Sequence, residues 1–139
     1  MPNDNRALVK RWIEEVWNQQ RPETIDELMT DDSVCYLDQG VLRGGKDFRE
    51  IQYTPLTSAF PDLHVTVDSL IDNGDEVAFR WTAKGTHTGD GLPIPPTHKS
   101  VEMTGISWIC VRGGKFREGW QSSNIADVLR SLAEPAPVG

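Results

Sequence analysis

Among the side chains of this 139-residue chain that could move a proton, a handful stand where pattern and punctuation suggest a site. His87 closes the alternating run Val77, Phe79, Trp81, Ala83 and stands just before a loop, Thr88 to His98, that carries Gly89, Gly91, Pro93, Pro95 and Pro96. Histidine is the side chain that ordinarily titrates closest to neutral pH, so one facing a pocket mouth can act as a general base. The plainer reading is a strand-end histidine bonded to loop backbone. Asp38 ends the apolar run SVCYLD two residues after Tyr36. A carboxylate beside a phenol can bind or protonate a carbonyl oxygen when burial raises its pKa, or it can simply cap the turn before Gly40. His64 lies on the face opposite Leu63 and Val65, and His98 sits in the Gly/Pro loop; both read as exposed. Glu102 and Glu118 fall in strand-like segments, where pairing with Arg117, Arg80 or Lys99 on an outer face is the expectation.

Five tryptophans add the second chemical theme. Trp12 and Trp17 recur at helical spacing with Leu8, Val9, Ile13 and Val16, whereas Trp81, Trp108 and Trp120 fall on separate strands. Large rings with one polar handle suit the wall of a flat, mostly apolar ligand site, and Trp17 and Trp120 are the first choices for ligand contact.

The elements that must position these groups follow from periodicity and punctuation. Asn3, Asp4 and Asn5 are candidate caps of a first helix; a second follows Arg21-Pro22, with Ile25, Leu28 and Met29 inward. Gly40 to Gly45 reads as a turn-rich connection. A third helix is expected from Lys46, with Phe48, Ile51, Leu56, Ala59 and Phe60 as its apolar positions, kinked or split at Pro55. Strands are predicted near 62–72, 76–87, 99–111 and 115–123, joined by hairpins at Asn73-Gly74 and Gly113-Gly114, with a short final helix from Ile125 to Ala133. Two registers are open for the last hairpin. A two-residue turn puts Trp120 on the side of Ser107 and Ile109, and a bulge moves it beside Ile106 and Trp108.

Helices followed by a run of strands define an α+β order. The expectation is one domain over residues 1–134, with a flexible tail at 135–139. Its net charge of −7 and the lack of a basic run argue against a nucleic-acid partner. The polar N-terminus MPNDNRALVK and the lack of a long apolar run point away from a leader or a membrane and towards the cytoplasm. Cys35 and Cys110 sit in apolar contexts and read as buried free thiols, with a disulfide as the alternative, and neither has metal-ligand spacing to a histidine.

The segments EEVWNQ (14–19), AFPDL (59–63), VAFRWTAKGTHTG (77–89), LPIPPTHKSVEMTGIS (92–107) and GGKFREGW (113–120), taken in order, resemble the SnoaL-like polyketide cyclase branch of the nuclear transport factor 2-like superfamily. The resemblance implies a cone-shaped barrel, with a strongly curved, mostly antiparallel sheet packed on three N-terminal helices. It also implies an apolar central pocket, a homodimer, and chemistry without a metal or organic cofactor. In this branch the catalytic aspartate follows the last-strand tryptophan by four residues, and that position here is Asn124. An amide orients a carbonyl but does not transfer protons, and Asn124 can equally cap the final helix. The expectation is therefore an enzyme acting by acid–base chemistry on a small apolar carbonyl, ester or epoxide compound. Its actors would be His87 or Asp38 for proton transfer, Asn124 and Tyr36 for orientation, and Trp17, Trp81, Trp108 and Trp120 for binding. A non-catalytic carrier and a dimeric interaction scaffold are the alternatives.

Overall fold

Asp4 caps the first helix through its side chain, accepting from the Ala7 N–H at 3.0 Å. The computed structural model describes residues 4–134, so the cap expected of Asn3 and the tail at 135–139 lie outside the described residues. Helix α1 (Asn5–Arg11) runs on as a π-helical segment (Trp12–Asn18) that keeps Trp12, Ile13, Val16 and Trp17 buried. Helix α2 (Glu23–Leu28) leads into β1 (Met29–Leu37) and β2 (Gly40–Arg43). A second composite helix follows: α3 (Gly44–Asp47), a π-helical segment (Phe48–Tyr53) and α4 (Thr54–Ala59). Four strands, β3 (His64–Asp72), β4 (Glu76–Thr86), β5 (Ser100–Arg112) and β6 (Lys115–Ser123), and helix α5 (Ile125–Leu132) complete the order.

Sequence expectation and structure differ at two places here, and the expected division of the third helix falls beside Pro55. Gly40–Arg43 is not only a turn but an edge strand paired antiparallel with β1. Ile51 is 58% exposed rather than inward, because the wider π turn shifts the face of the third helix before Pro55. Pro55 sits in the first turn of α4, where its missing N–H costs little.

The six strands form one mixed sheet in the order β2-β1-β6-β5-β4-β3, with β1 and β6 parallel and the other pairs antiparallel. β2 and β3 are free edges, so the sheet does not close into the expected barrel. It is an open sheet with the helices on one face. Pairing shifts between Met29 and Val34, Val67 and Ser69, and Cys110 and Val111 bend it about that face. Val77, Phe79, Trp81 and Ala83 of β4 point to the helices and are buried, as their alternation predicts.

Gly113 and Gly114 adopt φ of +59° and +74° in a two-residue turn between the paired Arg112 and Lys115. The shift after Val111 then adds a residue on β6, so Trp120 pairs with Trp108 and Ser107 pairs with Gln121. Both open registers contributed: the turn is tight, and the bulge decides the side.

Candidate functional site

Between the concave sheet face and the helices lies a cavity of about 100 Å³. The two π-helical segments supply one side of it, with Trp12, Ile13 and Trp17 from the first and Phe48 and Gln52 from the second. The sheet supplies Cys35, Phe79, Trp81, Ala83, Met103, Ser107, Ile109, Phe116 and Gln121. The rings interlock around it: Trp12 meets Phe48 and Phe116 at 5.2 and 5.3 Å, and Trp17 meets Tyr53 at 5.5 Å.

Trp81 is fitted into the wall by Gly105 on the neighbouring strand. A Cβ at position 105 would stand 2.4 Å from Trp81 Cζ2 and 2.8 Å from the Ser123 Cβ. With the ring laid across that glycine, Trp81 Nε1–H donates to Ser107 Oγ at 3.1 Å. The remaining polar groups of the interior are Ser33, whose hydroxyl donates to the Phe116 carbonyl at 2.6 Å, the Gln52 and Gln121 amides, and the Cys35 thiol. Burial pushes Cys35 up to about 11, so it holds its proton at neutral pH. Arg117 and Glu118 are the ionisable residues on the border other than Cys35, near the bulge. Arg117 is exposed, and Glu118 accepts from the Tyr36 hydroxyl at 3.2 Å rather than pairing with an arginine or lysine.

The residues expected to transfer protons or orient a substrate do not converge on this cavity. His87 is fully buried under the Thr88–His98 loop, tilted against Phe60 at 5.6 Å. Its Nδ1 accepts from the Thr97 N–H at 3.2 Å and lies 3.1 Å from the Thr97 hydroxyl. It is the strand-end histidine bonded to loop backbone. Asp38 is exposed and accepts from the Ser123 N–H at 2.9 Å, which ties the end of β1 to the end of β6. Asn124 begins α5, but its Oδ1 takes the Thr104 N–H at 2.8 Å instead of capping that helix. His64 and His98 are exposed.

The expected binding residues divide between the two faces of the sheet. Trp17 and Trp81 line the cavity. Tyr36 stacks on Trp120 at 5.6 Å and 18° on the convex face, where Trp108 Nε1–H donates to Glu76 Oε2 at 2.7 Å. Trp120 borders the cavity as well, although it is 42% exposed. Ser107 and Gln121 were missed because the bulge that aims them inward has no mark in the sequence, and Gln52 because the π turn has none. Among the described residues no three histidine, cysteine or carboxylate side chains converge as a metal ion would require.

A profile of the SnoaL-like polyketide cyclases matches residues 7–132, and the chain belongs to that family. Solved structures agree. IdmH of Streptomyces antibioticus, assigned as a polyketide cyclase, is 27% identical over 95% of this chain and 100% of its own, with a TM-score of 0.78. AclR of Streptomyces galilaeus, assigned as a hydroxylase, is 25% identical over 100% of this chain and 91% of its own, with a TM-score of 0.83. A protein of Jannaschia sp. CCS1, assigned as a SnoaL-like polyketide cyclase, shares the fold at 21% identity, covering 97% of this chain and 95% of its own with a TM-score of 0.85. No curated protein sequence matches significantly.

Proposed function

We propose that this chain binds a compact, mostly apolar carbonyl, ester or epoxide compound in the concave cavity and orients it with neutral hydrogen-bonding groups. The observation that carries this reading is the cavity's lining: aromatic rings on the helix side and sheet side, with Ser107, Gln52 and Gln121 as its polar interior. A volume of about 100 Å³ suits one small ring, since designed apolar cavities of ~150 Å³ take up benzene. His87, Asp38 and Asn124 are each committed to backbone groups of the protein itself, which favours binding over proton transfer by those three.

A second reading keeps an acid–base enzyme of the cyclase, isomerase or hydrolase type, working without a cofactor. It is supported by the family and by Glu118, a carboxylate on the cavity border that holds the Tyr36 hydroxyl. In that reading Glu118 accepts a proton from an acidic carbon next to a carbonyl at the cavity border, and the Gln121 amide steadies the oxygen.

Thermal shifts against a size-graded panel of ketones, esters and epoxides test the first reading. Single-ring compounds raise the Tm, by a few degrees at a hundredfold excess over Kd, where ~2.7 kcal/mol of stabilisation is expected. A panel that leaves the Tm unchanged contradicts it. Turnover of a bound compound that disappears in Glu118→Gln moves the reading to the enzyme.

The protein is further proposed to act as a cytoplasmic homodimer, paired through the convex face. There, one lateral row of the sheet carries Val41, Tyr36, Trp120, Trp108, Ala78 and Ile71 across all six strands. Four of them are 42–73% exposed, an apolar stripe unusual for a free surface. Glu118 and Glu76 flank the stripe on one side and Arg80 on the other. A two-fold axis along the stripe sets the acidic flank of one copy against the basic flank of the next.

A further inference from the structure

Within the cavity wall, one hydrogen-bond donor has its direction set by a neighbour. Trp81 and Ser107 are 7% and 6% exposed, and the indole N–H donates to Ser107 Oγ at 3.1 Å. An indole nitrogen only donates, so this contact makes the serine oxygen the acceptor. The serine's own hydrogen is left over. Among the described residues the bond from Trp81 is the only one Ser107 Oγ makes, and the hydroxyl lies among Phe79, Met103 and Ile109. Gln121 pairs with Ser107 across β5 and β6 and lines the same cavity, with no hydrogen bond between the two side chains among the described residues. A donor without an acceptor in an apolar wall is costly, and a ligand oxygen placed there removes the cost.

We infer that Ser107 is the specificity-determining donor of this cavity. Aimed by Trp81, its hydroxyl selects a single-ring ligand bearing an acceptor oxygen, a ketone or ester carbonyl, over the same skeleton without one. Ser107 touches the ligand; Trp81 is its positioning residue. This assignment rests on the binding reading above and names the group that the ligand must carry.

The test compares acetophenone with isopropylbenzene, a near-isosteric pair that differs in the acceptor oxygen, by calorimetric titration. The unsubstituted protein binds the ketone about tenfold or more tightly than expected from the hydrocarbon, the scale of one hydrogen bond in a dry site. Ser107→Ala abolishes this preference while isopropylbenzene binds at least as well as before. Trp81→Phe keeps the hydroxyl but frees its rotation, and the ketone-to-hydrocarbon ratio falls without vanishing. Since Ser107→Ala leaves the indole N–H unpaired, the double variant W81F/S107A removes both partners and controls for a folding defect; it also binds without preference. If isopropylbenzene binds and the ketone is not preferred, or if Ser107→Ala keeps the preference, the role of Ser107 is overturned and the binding reading stands. If neither probe binds saturably, both are overturned.

Discussion

Trp108 and Trp120 stand directly opposite one another on β5 and β6, on the convex face, and are 47% and 42% exposed. Two large rings in register at the middle of an open sheet are a poor surface for an isolated chain. They are the centre of the proposed pairing face. Trp108→Lys is therefore expected to halve the mass measured by light scattering on a sizing column while leaving the far-ultraviolet spectrum unchanged. A mass unaffected by the substitution, whether that of one chain or two, contradicts pairing through this stripe.

The position of those rings also marks how far the sequence could be read. The strands, the Asn73-Gly74 and Gly113-Gly114 turns and the inward run from Val77 to Ala83 follow from local pattern, because alternation and turn chemistry act over a few residues. The face occupied by Trp120 does not. It depends on one extra residue at Arg117, opposite the Cys110–Val111 step, and a bulge is settled by packing across the sheet. Ile51 leaves its expected inward face, and Gln52 lines the cavity, for a similar reason, since nothing local separates a π turn from an α turn. The candidate site thus emerges from one bulge and two π-helical segments. Alternation puts His87 on the inward face with Val77 to Ala83, but its bond to Thr97, ten residues on, depends on how the intervening loop folds.

His87 anchors that loop by accepting the Thr97 N–H. His87→Ala is expected to destabilise the protein by roughly 2–4 kcal/mol, combining an unpaired, partly buried loop N–H with a vacated volume. Urea unfolding measures the loss, and the affinity for a cavity ligand measured below the transition should be unchanged. A large fall in affinity or turnover with stability intact contradicts the structural role.

Gly105 makes the space that Trp81 occupies, and a methyl group there would stand 2.4 Å from the ring. Gly105→Ala is expected to cost about 1–3 kcal/mol by overpacking and to weaken ligand binding, because the ring that aims Ser107 is pushed from its seat. Equal affinities in the two proteins contradict the link between this strand glycine and the site.

Burial pushes the Cys35 thiol from an ordinary value of 9.0 up to about 11. Between those limits the unfolded chain loses the thiol proton and the folded chain keeps it, so this residue's stabilising contribution is complete below pH 9 and declines as pH rises towards 11. The decline approaches roughly 2–3 kcal/mol, and Cys35→Ala should show a shallower loss of stability over the same interval. Iodoacetamide at pH 8 should label Cys110, the less buried of the two thiols, before Cys35. Faster labelling of Cys35 contradicts its placement in the wall.

The most direct test of the cavity as the binding site is a titration followed through the five tryptophan indole N–H resonances. With acetophenone added, the signals of Trp12, Trp17 and Trp81, which line the cavity, are expected to shift together and saturate. Trp108, bonded to Glu76 on the opposite face, should stay in place. A saturating shift of Trp108 with Trp81 unmoved, or five unmoved signals, would contradict a ligand site between the helices and the concave sheet.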